Sequence, residues 1–545
     1  MNVIPKWFAN LKGKFDPVLL SISIVLVPQL LWISRDHSVW GQDQSFYAQS
    51  ATDIAYNLKR MNPHWWLALM LGSTPSKPPL INWINQGSAL FLWSKVDIQF
   101  VMLLTSVGFL YLSCLQLNSI GKILNQNKLI RLTSPLLLLS SPLVLGISHQ
   151  YFVENLQLLI ILSVIKYWLI FPRYPYNRLR EILYLIFMGC LLALSKIDSI
   201  LLVLPFIVSI LFKLKYFLKT NNKEFKFKFF PSYFWQVPTI LLTIGWYIRN
   251  FNHAVYHAWF STRDSSPWAT KLGLLSQIQF WTTNIFKDFV GFFVWLLVVA
   301  ACWLIHRIRK GDSAVTFTAT QLAFRKLLVT SLVFDLVVLI IANNSDHRFL
   351  YPIFGLASLC IFCISFRVPS KIFIAYSICL ITLFSVFESY SLGAPLRITR
   401  SWLIQVNSSN QDQNSINGII LSKCNDGSSN SKIYIDYENP IMNQTTWEYF
   451  LARLRYKNRV PWGCSIVTNS FGENSLLHAI KNFQTIRPTH FVSISDYFSP
   501  KSVDHNVFNK TVDQQLLKYL ESSKQLKNGM IVNGNWFVSD VAWQK

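Results

Sequence analysis

The sequence predicts an α-helical polytopic membrane protein that ends in a soluble α/β domain. Three observations carry this. Of 545 residues, 52% are hydrophobic and only 14% are charged, for a mean hydropathy of +0.32. Apolar runs recur from Val18 to Leu392, more than a soluble core would need. After about Leu392 the chain becomes polar, mixed in charge and built of short alternating elements. We therefore divide it at 1–392, membrane part, and 393–545, soluble part. The net charge of +24 does not point to nucleic acid. The basic residues fall in bursts between apolar runs, as cytoplasmic loops do under the positive-inside rule, and form no single patch.

Lys6, Lys12 and Lys14 precede an apolar run from about Pro17 to Ile33 that has no small-residue cleavage site. This reads as an uncleaved first span with a cytoplasmic N-terminus. The stretch from Trp40 to Leu80 then faces the far side, and the rest of the chain is organised around it. It places Asp43 in a short polar turn, after which Tyr47, Ala51, Ile54, Ala55 and Leu58 recur at helical spacing. The pattern is too polar to cross a bilayer, so we expect a helix lying along the membrane surface with Asp43 at its entrance. The plainer reading of Asp43 is a helix cap. Leu80 to Trp93, short and dotted with Asn82, Asn85 and Gln86, reads as a second surface-lying helix.

Spans are expected near 98–117, 133–148, 155–171, 181–195, 199–213, 234–248, 286–306, 327–342, 349–366 and 372–391. Basic clusters alternate with them: Lys122, Lys128 and Arg131; Arg173, Arg178 and Arg180; Lys213 to Lys228; Arg307 to Lys326; Arg367 and Lys371. Sliding the count by one span would move these clusters outside, which holds it at about eleven. An odd count leaves the C-terminal domain opposite the N-terminus. In that domain Lys432 to Tyr437 reads as a strand, Thr445 with Glu448 as a capping box before Trp447 to Tyr456, and Asn533-Gly534 as a hairpin turn. Cys424 and Cys464 are its only cysteines, and an oxidising compartment would let them pair. Asn407, Asn443 and Asn509 begin Asn-X-Ser/Thr triplets, a pattern that arises often by chance.

Charge is costly near a bilayer, so polar residues kept at span ends pair or line a cavity. Asp43, Lys77, His149, Glu154, Lys196, Asp198, Arg249, Asp346, His347 and Arg348 all fall at the expected outer face. Carboxylates there handle a proton and cations hold an anion. Asp335 sits inside an expected span, and an interhelical hydrogen bond is the favoured account of it.

The ordered set Asp43-Gln44-Ser45-Phe46-Tyr47, Lys77-Pro78-Pro79-Leu80, Ser148-His149-Gln150-Tyr151-Phe152-Val153-Glu154, Leu194-Ser195-Lys196, Trp246-Tyr247-Ile248-Arg249-Asn250 and Arg348-Phe349-Leu350-Tyr351-Pro352 resembles the GT-C glycosyltransferases. The likeness is to the branch holding protein O-mannosyltransferases and the lipid A aminoarabinose transferase, over about residues 18 to 365. Three positions depart from the family pattern. Gln44 stands where the first acidic pair is usually completed by Glu, Glu154 where the second outer loop usually has Asp, and Phe46 where some members carry a phosphate-contacting Arg.

The resemblance implies a GT-C fold and transfer of a sugar, with inversion, from a polyprenyl-phosphate carrier to a lipid, glycan or protein acceptor outside the cytoplasm. The membrane would be a bacterial plasma membrane or the ER. It implies Asp43 as general base, Glu154 as a second catalytic carboxylate, and Lys77, Lys196, Arg249, Arg348 and Tyr47 as the donor-binding set. Snorkelling to lipid headgroups is the alternative for Lys196 and Arg249. A divalent metal on Asp43, His149, Asp346 and His347 is a further alternative, with no diagnostic ligand spacing. Two other classes stand beside the enzyme: a transporter or flippase of lipid-linked sugars, and a catalytically inactive relative.

Overall fold

The computed structural model describes residues 17–92, 97–174, 177–220, 233–260, 272–308, 317–342, 344, 346–363, 369–394, 403–425, 430–435, 443–468, 475–494, 510–532 and 536–543. Lys6, Lys12, Lys14, Lys223, Lys226, Lys228, Arg309, Lys310, Arg367, Asn509 and the Asn533-Gly534 turn lie outside them. The chain falls into two compact units. The first comprises Met1–Ser34, Met70–Ile81 and Met102–Gln405; the second comprises Arg35–Leu69, Asn82–Val101 and Val406–Lys545.

The first unit is helical. Among the described residues, Ile98–Ile123, which begins four residues before this unit, and Ser370–Ser391 are long and apolar enough to cross a membrane. Two further pairs pass the same test only if each is taken as one bent span. The expected count of about eleven is therefore not given by helix length and composition alone, because the chain breaks several apolar runs. The run expected at 133–148 is two helices, Lys128–Leu139 and Pro142–Ser148, meeting at 72°. Ser141 caps the second through Val144 N and Pro142 opens it, which suits a ring that has no N–H to donate. Likewise Leu274–Asp288 meets Val290–Leu304 at 88°.

The two breaks support one another. Ser141 Oγ donates to the Asp288 carbonyl at 2.6 Å, satisfying an acceptor that the helix end leaves open. A Cβ on Gly291 would meet Ser140 Oγ at 2.7 Å and Leu380 Cδ2 at 2.9 Å, so the close approach requires glycine. A similar constraint holds at Gly355 in Leu350–Ser358, where a Cβ would run into Leu158 Cδ1 of Glu154–Ile170.

The second unit contains a five-stranded sheet of order β2-β1-β3-β5-β4, with β1 Lys432–Ile435, β2 Ser465–Thr468, β3 His490–Ile494, β4 Leu526–Val532 and β5 Trp536–Val541. β1 is parallel to β2 and β3, while β5 is antiparallel to β3 and β4. β1 confirms the expected strand over its described residues. The helix expected at Trp447 to Tyr456 runs Gln444–Tyr456, and its cap differs from expectation. Asn443 is the N-cap, accepting from Thr446 N at 3.1 Å. Thr445 and Glu448 form no capping box because Asn443 already holds that position; Thr445 Oγ1 donates to Asn443 Oδ1 and Gln444 Nε2 to Glu448. Cys424 and Cys464 are joined in a disulfide.

The helix Gln42–Lys59 belongs to this unit. Its apolar positions Ala48, Ala51, Ile54 and Ala55 are fully buried. The amphipathic pattern thus locates a face that needs cover, and in the structure the helix Gln444–Tyr456 packs closely against Gln42–Lys59. Small side chains permit close helix approach.

Candidate functional site

In the first unit three expected site residues come together at helix ends. Glu154 opens the helix Glu154–Ile170, where the positive end of the helix dipole favours an anion. Lys196 follows the last residue of Arg178–Ser195 in extended conformation, so its side chain leaves the helix line. Its Nζ lies 3.3 Å from Glu154 Oε1 and 3.8 Å from Asp198 Oδ2. Asp198 accepts from Gln157 Nε2 at 3.0 Å. The ammonium also lies 4.3 Å from the centre of the Phe349 ring.

Arg348 enters from the short helix His347–Phe349, capped by Asp346. Its guanidinium forks onto that aspartate, with Nη2 at 2.6 Å and Nε at 2.8 Å from Oδ2. It sits 4.6 Å from the centre of the Phe152 ring, two residues before Glu154. The cluster therefore joins the turn that precedes Glu154, the Lys196 turn and the Arg348 turn.

Charge balance shapes what this cluster can do. Burial works against the Lys196 ammonium, but Asp198 and Glu154 outweigh it and its pKa is raised. Burial also opposes ionisation of Asp346, yet Arg348 prevails and holds that carboxyl below the usual range. For Asp198 burial wins over Lys196 and its pKa is raised. Glu154 Oε2 and Gln157 Oε1 are buried and accept no hydrogen bond among the described residues. Such acceptors suit hydroxyl or N–H donors of a ligand.

Arg249 and Lys77 are placed by a second arrangement in the same unit. Arg249 lies in the helix Tyr233–Phe260, and a Cβ on Gly72 would meet its Nη2 at 2.8 Å and Cζ at 2.9 Å. The neighbouring Asn250 donates from Nδ2 to the Leu71 carbonyl at 2.6 Å. The segment Met70–Ile81, which carries Lys77, is thus tied to the helix that carries Arg249.

His149 is buried elsewhere in this unit. Its ring stacks on Trp32 at 4.1 Å, and Nε2 is 3.9 Å from Glu388 Oε1. Gln29 bridges this carboxylate to Ser148: its Nε2 donates to Glu388, while its Oε1 accepts from Ser148 Oγ. His347 turns toward the buried Asp288, Nδ1 to Oδ2 3.8 Å. Among the described residues, no three His, Cys, Asp or Glu side chains gather as a metal would need. Asp335 Oδ2 accepts no hydrogen bond among the described residues.

Sequence reasoning missed Asp288 and Glu388. Both lie a few residues inside expected spans, where they were absorbed into apolar runs. Their signal was an acid within a turn of an expected span's end.

In the second unit Asp43 stands in the first turn of Gln42–Lys59, whose N-cap is Gly41. Asp43 is therefore not the cap. Tyr47 is one turn further on and buried. A residue unremarked as a site candidate, Asp53, is buried within the same helix. Burial raises its pKa to about 6, against the opposing pull of Arg455.

No family model matches the sequence, and no curated protein matches it. Solved structures do. ArnT from Cupriavidus metallidurans bound to undecaprenyl phosphate superposes with a TM-score of 0.54 at 12% identity, over 97% of this chain and 99% of that one. The apo form of the same protein gives 0.52 at 12% identity with the same coverage. The chain thus has an ArnT-like GT-C fold, the fold that the ordered motifs implied.

Proposed function

We propose that this chain is an integral membrane glycosyltransferase that moves a sugar from a polyprenyl-phosphate carrier to an extracytoplasmic acceptor, inverting the anomeric carbon. One observation carries the reading. Glu154, Lys196 and Arg348, drawn from three separate motifs of the resemblance, meet in one polar cluster on an ArnT-like fold. ArnT's bound undecaprenyl phosphate supports a lipid phosphate as the leaving group here. In this reading residues 1–392 supply the membrane part and 393–545 the extracytoplasmic α/β domain. The Cys424–Cys464 disulfide supports an oxidising, non-cytoplasmic location.

The chemistry follows from the leaving group. A lipid phosphate departs without being protonated, so the enzyme has to take the acceptor proton and steady the phosphate. Asp43 takes the hydroxyl proton. The acceptor oxygen attacks the anomeric carbon as its bond to the phosphate oxygen breaks, and the lipid phosphate leaves as an anion. Lys77, Lys196, Arg249 and Arg348 are the proposed cations for that anion, with Tyr47 beside Asp43 in the donor-binding set. Lys196 and Arg348 already face carboxylates, and a phosphate beside them would meet like charge. We therefore assign direct phosphate contact to Arg249 and Lys77, and to Lys196 and Arg348 the task of pairing with the carboxylates of Glu154 and Asp346 and fixing where they sit. Glu154 orients the acceptor hydroxyl.

The test is transfer of radiolabelled sugar from a polyprenyl-phosphate donor by the purified protein. Asp43→Asn should lower the rate about 10³-fold, within the usual range for a general base, without changing the melting temperature. Full activity in that variant would remove Asp43 from the mechanism. The two bent helix pairs favour a second reading, a flippase of lipid-linked sugars, since interrupted helices are common in transporters. That reading expects donor movement across vesicles with no glycosylated product.

A further inference from the structure

We infer that the C-terminal α/β domain is the seat of the Asp43 helix, and that Thr446 and Tyr449 are positioning residues for Asp43. The inference rests on the assignment of Asp43 as base. Its evidence lies wholly within the second unit, which unites Arg35–Leu69 with Val406–Lys545.

The helix is held near both ends. Near its start, the Trp40 ring stacks on Tyr449 with centres 5.4 Å apart and planes 3° from parallel. The Trp40 carbonyl accepts twice: from Thr446 Oγ1 at 3.0 Å and from Ser45 Oγ at 2.8 Å. One donor belongs to the C-terminal helix and the other to the turn that holds Asp43. Trp40 adjoins the N-cap Gly41, so fixing its ring and carbonyl fixes where the first helical turn begins. At the far end, Tyr56 stacks on Trp462 with centres 5.5 Å apart.

A domain that only handled the acceptor would not need to grip this helix at both ends. With a grip at each end, a loosened Trp40 contact tilts or slides the first turn and moves the Asp43 carboxylate, while the far end of the helix stays anchored. Displacing a catalytic group by about 1 Å costs on the order of 10²-fold in rate.

The experiment uses the full chain in detergent with a polyprenyl-phosphate sugar donor. Thr446→Val removes the hydroxyl that donates to the Trp40 carbonyl at constant shape, Tyr449→Ala removes the stack, and Tyr449→Phe keeps it. We expect kcat to fall about 10-fold for Thr446→Val and about 100-fold for Tyr449→Ala. Donor KM should stay within twofold of the parent, and Tyr449→Phe should restore kcat. Unchanged kcat in Thr446→Val and Tyr449→Ala, or a raised donor KM with kcat intact, overturns the inference. If Tyr449→Ala does not fold, Thr446→Val decides alone. A lower melting temperature with parental kcat marks a purely structural role and also overturns it. Asp43→Asn run in parallel separates the two claims: if it is fully active, the base assignment fails; if it alone is inactive, only the positioning claim fails.

Discussion

Lys196 in the first unit and Arg455 in the second both act electrostatically on a buried carboxylate, yet the two settings differ. Lys196 stands between Glu154 and Asp198 at the ends of separate helices, with buried acceptor atoms nearby that no donor among the described residues fills. Arg455 donates to the Cys464 carbonyl and lies 4.8 Å from the centre of the Trp462 ring, and it acts on buried Asp53 only at longer range, across two helices pressed together over an apolar face. Unfilled acceptors at converging helix ends are what a ligand would satisfy, whereas a charge enclosed in a helix interface fixes how the two helices meet. Residue type and burial do not separate these cases; the surroundings do.

The comparison is sharpened first by the disulfide, which only the second unit has among the described residues. It closes a loop of 40 residues, for which the chain-entropy model gives about 4 kcal/mol. Cys424→Ser with Cys464→Ser should lower the melting temperature of the full chain by about 10 °C, measured by thermal unfolding in detergent. No change would mean that the second unit is not held by this staple.

Next come the carboxylates themselves. Glu154→Gln should reduce transfer about 10²-fold, while Asp53→Asn should leave it within a few-fold of the parent. Equal losses in the rate assay would erase the distinction between the two clusters.

A smaller effect is expected at Gly72. The new Cβ in Gly72→Ala would press on the far end of Arg249, which can swing away at little cost to stability. Donor KM should rise about fivefold with an unchanged melting temperature, as one charge-assisted contact weakens. An unaltered KM would remove Arg249 from the phosphate set.

The smallest is a pH effect in the second unit. The Asp53 carboxyl, raised by burial to about 6 in the folded chain, titrates near 3.9 when unfolded. The folded state therefore binds the extra proton between about pH 4 and pH 6, and stability falls as pH rises through that window. Burial of Asp36 acts in the same direction. Melting curves at pH 4, 5 and 6 should show a decline of a few degrees that Asp53→Asn reduces. A decline of the same size in that variant would exclude Asp53 as its source.

Much of the site was legible in the chain. Acids and cations at the ends of apolar runs marked Glu154, Lys196 and Arg348 as candidates, because charge at the edge of a bilayer is conspicuous against hydrocarbon. Asp288 and Glu388 were not legible, because a single acid a turn inside an apolar run does not alter the run's period. The cap at Asn443 was obscured by the competing signature of Thr445 and Glu448, which only the backbone path could dismiss.

The sequence by itself determined the helical membrane class, the C-terminal α/β elements and the face of Gln42–Lys59 that had to be covered. These follow from composition and periodicity, which act over one or two turns of chain. Tertiary structure decided what covers that face, which cations meet carboxylates, and where the apolar runs bend. Those outcomes depend on residues hundreds of positions apart reaching hydrogen-bonding or van der Waals distance, and no local pattern encodes such distances.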